Sequence, residues 1–184
     1  MAKKFLRLVV NGKVANSEAL RAAVAQQRGL GHRVEVHVTW ESGDARRFGS
    51  QEADVVVAVG GDGTVNEVLH GLMTLPTEAR PALAVVALGT TDDFARGCGI
   101  PLDSSQALAL CVAGDSVAAD VGRANNRWFI NAASIGFGAV VTATTPPQLK
   151  RANFDAYAPC RSISTANLPS SPRFATKRLR ARSG

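Results

Sequence analysis

The chain has 184 residues, of which 46% are hydrophobic and 20% charged, enough for one domain and part of another in an ordinary globular protein. No run approaches the ~18 consecutive apolar residues that a membrane-spanning helix requires. The net charge of +6 sits wholly in the last segment, where residues 151–184 hold 7 basic residues and one acid, Asp155, while residues 1–150 balance 14 basic against 14 acidic side chains. A neutral body with 5% aromatics and no recognition motif argues against a nucleic-acid-binding domain.

Residues 1–14, MAKKFLRLVVNGKV, begin with basic residues. They lack the small-residue cleavage site of a secretory signal and alternate like a first strand, so the expected location is cytoplasmic. Ser17 is placed as the N-cap of a helix, with Leu20, Ala23, Val24 and Gln27 at i, i+3, i+4, i+7. HRVEVHVTW predicts a second strand ending near Thr39 and Trp40. The crossover that follows, ESGDARRFGSQEA, leaves little room for a helix of its own. DVVVAV is the β-branched run of a strand buried on both faces. After a glycine-rich turn, Val65, Val68, Leu69, Leu72 and Met73 repeat at helical spacing. PALAVVALG predicts another buried strand, TTDDFARGCG a short helix capped by Thr91 or Asp92, and SSQALALCVAG one more. This alternation predicts an α/β fold, a doubly wound and mostly parallel sheet over residues 1–115.

From Val117 the pattern changes. Asn125-Asn126 reads as a hairpin turn, opening an all-β second domain over residues 116–150 that stops short. An unfinished layer predicts exposed apolar surface at Trp128, Phe129, Ile130 and Phe137. Cys98, Cys111 and Cys160 form no C-x-x-C pair, which fits reduced thiols. His32, His37 and His70 do not cluster with them, so a zinc site is not expected.

In a sheet of this kind ligands gather at the carboxyl ends of the strands. Four such ends carry unusual residues: Asn11-Gly12-Lys13, Thr39-Trp40, Gly60 to Thr64, and Gly89 to Asp93. A glycine loop opening a helix offers free backbone N–H groups and the positive end of the helix dipole to a phosphate. Thr64 could cap that helix or bind a phosphate oxygen. Asp62 is open to two readings, a turn former or a carboxylate that works through a divalent cation or a hydroxyl proton.

VGGDGTVNEVLHGL followed by LAVVALGTTDDFARGCGIP resembles the nucleotide-binding domain of the diacylglycerol kinase-type lipid kinases. LVVNGK, VTWESGDARR and WFINAASIGFGAVVTATTP resemble the same family, so the likeness covers roughly residues 5–150. It implies an ATP-dependent, Mg²⁺-requiring kinase that phosphorylates a lipid hydroxyl at a membrane surface. It also implies nucleotide contacts at Thr39, at Gly61, Asp62, Gly63, Thr64, Val65, Asn66 and Glu67, and at Thr90. The family's general base and metal ligands belong to its second domain, so no catalytic or metal-ligating residue is assigned. Asp92 stands where the family has asparagine, which puts an anion near the phosphates. Alternatives are a nucleotide-binding fragment without catalysis, a soluble-substrate kinase with a similar G-G-D-G loop, and a nucleic-acid binder acting through the tail.

Residues 151–184 break the preceding pattern. They read as a disordered basic arm, as a segment that folds on a partner, or as the product of a reading frame shifted near Arg151. The abrupt end of the family likeness favours the last reading and a truncated, weakly active or inactive product.

Overall fold

In a computed structural model, the structure describes residues 2–124 and 126–130, together with the backbone of residues 179–183. The strands are β1 (Phe5–Asn11), β2 (Arg33–Thr39), β3 (Val55–Gly60), β4 (Ala82–Ala87), β5 (Val117–Ala124), β6 (Arg127–Phe129) and β7 (Leu179–Ser183). The helices are α1 (Glu18–Gly29), α2 (Asp44–Gly49), α3 (Asp62–Leu72), α4 (Asp93–Gly97) and α5 (Ser104–Ala113). The sheet runs in the order β2-β1-β3-β4-β7-β5-β6. Its first four strands are parallel, with Leu8 opposite both Val36 and Val57, and Val57 opposite Ala84.

The strand alternation sorts apolar side chains onto two faces. Leu6, Leu8, Val10, Val55, Val57, Val59 and Val86 pack with Leu20, Ala23 and Val24 of α1 and Leu108 of α5. Val9, Val56, Ala58 and Val85 face Ala45 of α2, Val65, Val68 and Leu72 of α3, and Phe94 of α4. The fold is therefore a three-layer, doubly wound α/β sandwich, as the sequence predicts. Both strands expected to be buried on two faces, β3 and β4, are buried at every position. Fully burying a Val or Leu contributes about 1.5–3 kcal/mol, so these strands anchor the layer.

The short crossover does carry a helix. The six residues of α2 lie directly on α3, where a Cβ at Gly71 would stand only 2.1 Å from the Arg46 carbonyl oxygen and one at Gly49 only 2.7 Å from that of Val68. Two glycines let the helix backbones touch, and six residues then suffice to cover that part of the sheet.

The β5–β6 hairpin forms as predicted, with Ala124 opposite Arg127. Its aromatic residues are not the exposed surface expected from an unfinished layer. Trp128, Phe129 and Ile130 are half-buried. Trp128 and Ile130 pack on Leu69, Met73 and Val121, and the Phe129 ring fills the space that a Cβ on Gly122 would take. Phe137 lies outside the described residues. The sequence assigns no element to residues 151–184, yet five of them form β7, which pairs antiparallel with β4 and parallel with β5. The rest of that segment, and residues 131–150, lie outside the described residues.

Candidate functional site

The strand order reverses direction between β1 and β3. At such a switch point the loops leaving neighbouring strands diverge to opposite faces and open a crevice. Here β1 ends in Asn11, whose side chain accepts from the Lys13 N–H at 3.0 Å and donates its amide to Thr64 Oγ1 at 3.2 Å. The loop after β3 thus hangs on the end of β1. Gly60 makes the turn with φ 154°, and a Cβ there would stand 2.6 Å from Thr64 Oγ1. Only glycine satisfies both demands.

A cleft of 560 Å³ opens at this point. One wall is Asn11, Gly12 and Lys13. The floor is Gly61, Gly63 and Thr64, with Glu67 one turn further along α3. The third side is Thr39, Trp40, Glu41 and Ser42 after β2, with Ala45 beneath. Gly12 meets this side closely, since a Cβ on it would stand 2.6 Å from the Thr39 carbonyl oxygen. Three of the four strand ends chosen from the sequence therefore share one cleft. The N-terminus of α3 is capped by the glycine backbone at Gly61 without a side-chain bond; the Thr64 N–H donates to the Gly61 carbonyl, and the N–H groups of Asp62 and Gly63 have no acceptor within the helix.

The predicted site residues divide in two. Thr39, Gly61, Gly63, Thr64 and Glu67 line the cleft. Thr64 is buried and its hydroxyl already engaged by Asn11. Val65, 2% exposed, belongs to the core. Asn66 is half-buried outside the lining, and Thr90 is exposed on the loop after β4. That loop touches the floor from behind: Gly61 and Gly89 approach so closely that a Cβ on Gly89 would stand 2.5 Å from the Gly61 Cα.

Asp62 has a third role beyond the two that the sequence left open. Its carboxylate accepts the backbone N–H groups of Asp93 at 3.2 Å and Phe94 at 3.0 Å, so it caps α4 from 31 residues away. The residue in the N-cap position, Asp92, makes no capping bond. It sits at φ 52°, the lone non-glycine at positive φ among the described residues, and accepts instead from the Gly89 N–H at 2.9 Å. Burial, and secondarily the Asp62 charge, push the Asp92 carboxyl above its usual range despite that bond. Asp62 ties the β3 loop to the start of α4, while Asp92 closes the β4 loop on itself.

Asp44 was not singled out from the sequence. Its buried carboxylate accepts the N–H groups of Trp40 at 2.9 Å and Glu41 at 3.3 Å, with Arg47 as a further donor. These bonds, that to Trp40 first, hold it below the ordinary carboxylate range. The signal available in the sequence was its place four residues after Trp40 at a helix start, where a carboxylate can reach back to the preceding turn. Among the described residues no group of three His, Cys, Asp or Glu side chains could hold a metal ion.

Residues 6–124 match the diacylglycerol kinase catalytic domain. The proteins named "Probable lipid kinase YegS-like" from Cronobacter sakazakii and Yersinia pestis are 47% and 45% identical over 150 residues, 79% of this chain in each case. Those residues are 50% and 51% of the relatives, so the chain spans about half the length of the curated relatives it matches. A solved diacylglycerol kinase structure from Bacillus anthracis str. Sterne is similar with a TM-score of 0.67 at 26% identity, over 86% of this chain and 57% of that one. The chain belongs to the diacylglycerol kinase catalytic domain family.

Proposed function

We propose that this chain carries the nucleotide-binding domain of an ATP-dependent lipid kinase, which transfers the γ-phosphoryl group of ATP to a lipid hydroxyl. The observation that carries the reading is the meeting of three strand-end loops and the α3 N-terminus in one cleft at the switch point of the sheet. The first-turn N–H groups from Gly61 to Gly63 would bind phosphate oxygens, with Thr39 on the facing side; Thr90 lies outside the lining, exposed on the loop behind. Thr64 and Glu67 line the cleft, and Val65 holds this end of α3 in the core. Phosphoryl transfer asks a protein mainly for positioning and charge neutralisation, which such a floor supplies. The base that takes the hydroxyl proton is not assigned among the described residues.

The described residues do not fit a Mg²⁺ site built from protein alone. A Mg²⁺ ion would be held chiefly by the nucleotide phosphates, which is its usual habit, and would supply neutralising charge there. We place the protein in the cytoplasm with its lipid met at a membrane surface. No helix among the described residues is long and apolar enough to cross a membrane.

The test uses Gly63, which lines the cleft and where an added Cβ meets nothing within 4 Å. Glutamate there suits a first helical turn and should leave the unliganded protein as stable as before, while setting an anion against the phosphates. MgATP at ~100 Kd adds roughly 2.7 kcal/mol, a rise of about 5–10 °C in melting temperature for a chain this size. The wild type should show that rise and Gly63→Glu should lose it. A wild type indifferent to MgATP, or a variant that keeps the shift, refutes the site. Transfer of label from γ-³²P-ATP into extracted lipid reads the chemistry separately.

A further inference from the structure

We propose that Trp40 is the stacking platform for the base of the bound nucleotide, an inference that rests on the nucleotide reading above. Trp40 is 88% exposed, the most exposed of the large apolar side chains among the described residues. So much aromatic surface left in water needs a reason, because indole is costly to expose and productive when covered. Two features set it apart from an incidental surface residue. It lines the cleft, on the side facing the glycine floor. Its backbone is also fixed, since the buried Asp44 carboxylate accepts both the Trp40 and the Glu41 N–H groups. The indole thus projects from a held loop, and preorganisation of this kind lowers the cost of ordering on binding.

The cleft volume of 560 Å³ is that of a site for a drug-sized molecule, larger than phosphates alone demand. Phosphate donors lie on the floor and an aromatic face stands at the rim, the two chemistries that a nucleotide presents at its two ends. Stacking needs no hydrogen-bond partner on the ring, and every base has a π-face. The competing use of an exposed tryptophan is insertion into a lipid surface. Glu41, directly after Trp40, would be repelled by an anionic headgroup layer, whereas Arg46 and Arg47 further along would be drawn to one, so binding to anionic vesicles is measured beside nucleotide binding.

The experiment compares two ligands on the full chain by titration calorimetry in the presence of Mg²⁺: ATP, and inorganic tripolyphosphate, which has the phosphates and no base. Trp40→Ala should weaken ATP binding roughly tenfold or more, the scale of losing one base–aromatic stack. It should leave tripolyphosphate binding within twofold, and Trp40→Phe should restore most of the ATP affinity. Because the side chain is exposed, neither variant threatens the fold. Loss of both ligands in Trp40→Ala overturns the proposal by showing that Trp40 only shapes the loop. Unchanged ATP binding also overturns it, the more so if the variant has lost binding to anionic phosphatidylglycerol vesicles. Failure of the wild type to bind either ligand overturns the nucleotide site itself, and this inference with it.

Discussion

Asp62 is the residue on which the loop geometry can be tested most sharply. Its carboxylate accepts two backbone N–H groups at the start of α4, from Asp93 and Phe94, and Asp92 leaves that end of the helix otherwise uncapped. Removing an N-cap costs about 0.5–2 kcal/mol, and a hydrogen bond to a charged group contributes about 1.5–3 kcal/mol. The bond from Asp93 is exposed and that from Phe94 is half-buried, so solvent weakens both, the first more. Asp62→Ala should therefore destabilise the protein by about 2 kcal/mol, or about 4–8 °C in melting temperature for a chain this size. Asp62→Asn keeps one acceptor oxygen and should lose about half as much.

Circular dichroism melts read the global effect, and hydrogen exchange at the Asp93 and Phe94 amides reads the local one. Both amides should lose protection in Asp62→Ala while those of β3 keep theirs relative to the global stability. A turn former predicts otherwise, because asparagine serves in a turn as well as aspartate does. If Asp62→Ala melts within 1 °C of the wild type with α4 protection unchanged, the interloop clamp is refuted.

Asp92→Asn should stabilise the protein. Asparagine tolerates the left-handed conformation and can still accept from the Gly89 N–H, while the burial penalty and the repulsion from Asp62 disappear. A carboxyl raised above its ordinary value of 3.8 binds its proton more tightly in the folded state, so its penalty is absent below that value and complete above the folded one. Chemical denaturation at several pH values should show the gain of Asp92→Asn in full at pH 7, at a few tenths to about 1 kcal/mol for a half-exposed group, and none of it below pH 3.8. At the end of β3, Gly60→Ala should cost about 1–3 kcal/mol, since φ 154° and the nearby Thr64 hydroxyl leave no space for a methyl group. A denaturation midpoint unchanged from wild type would refute that.

Periodicity made most of the fold legible. The four positions of α1 read from their spacing, Leu20, Ala23, Val24 and Gln27, are the four that α1 buries, and Ser17 caps it by accepting the Leu20 N–H. Val65, Val68, Leu69, Leu72 and Met73 are likewise all buried. These features depend on residues within two turns of one another, where the sequence carries its strongest signal. The elements that escaped are those without that support. Six residues are too few for α2 to show a face, and β7 pairs with β4 and β5, distant in the chain, with its Leu179 opposite both Leu83 and Val117. The half-burial of Trp128 and Ile130 escaped for the same reason, because two of the three residues that cover them, Leu69 and Met73, lie far earlier in the chain.

The site divides along the same line, and the division explains what Asp62 does. The glycine loop could be recognised because a strand, a tight bend and a helix start follow one another in the chain. The direction of a side chain inside that bend depends on a partner with no local signature. Seen alone, Asp62 beside a phosphate site is either a turn residue or a charge in need of a cation. With the β4 loop in place, its two oxygens meet the N–H groups of α4, and the charge is met by the positive end of a helix. An anion at that point therefore need not compete with a phosphate on the floor, because the carboxylate and the α3 N–H groups serve different partners. One loop can then offer backbone N–H groups on the cleft side and a carboxylate anchor to its neighbour. The contact between Gly61 and Gly89 makes this division possible, since a Cβ at Gly89 would stand 2.5 Å from the Gly61 Cα and push apart the two loops that Asp62 joins.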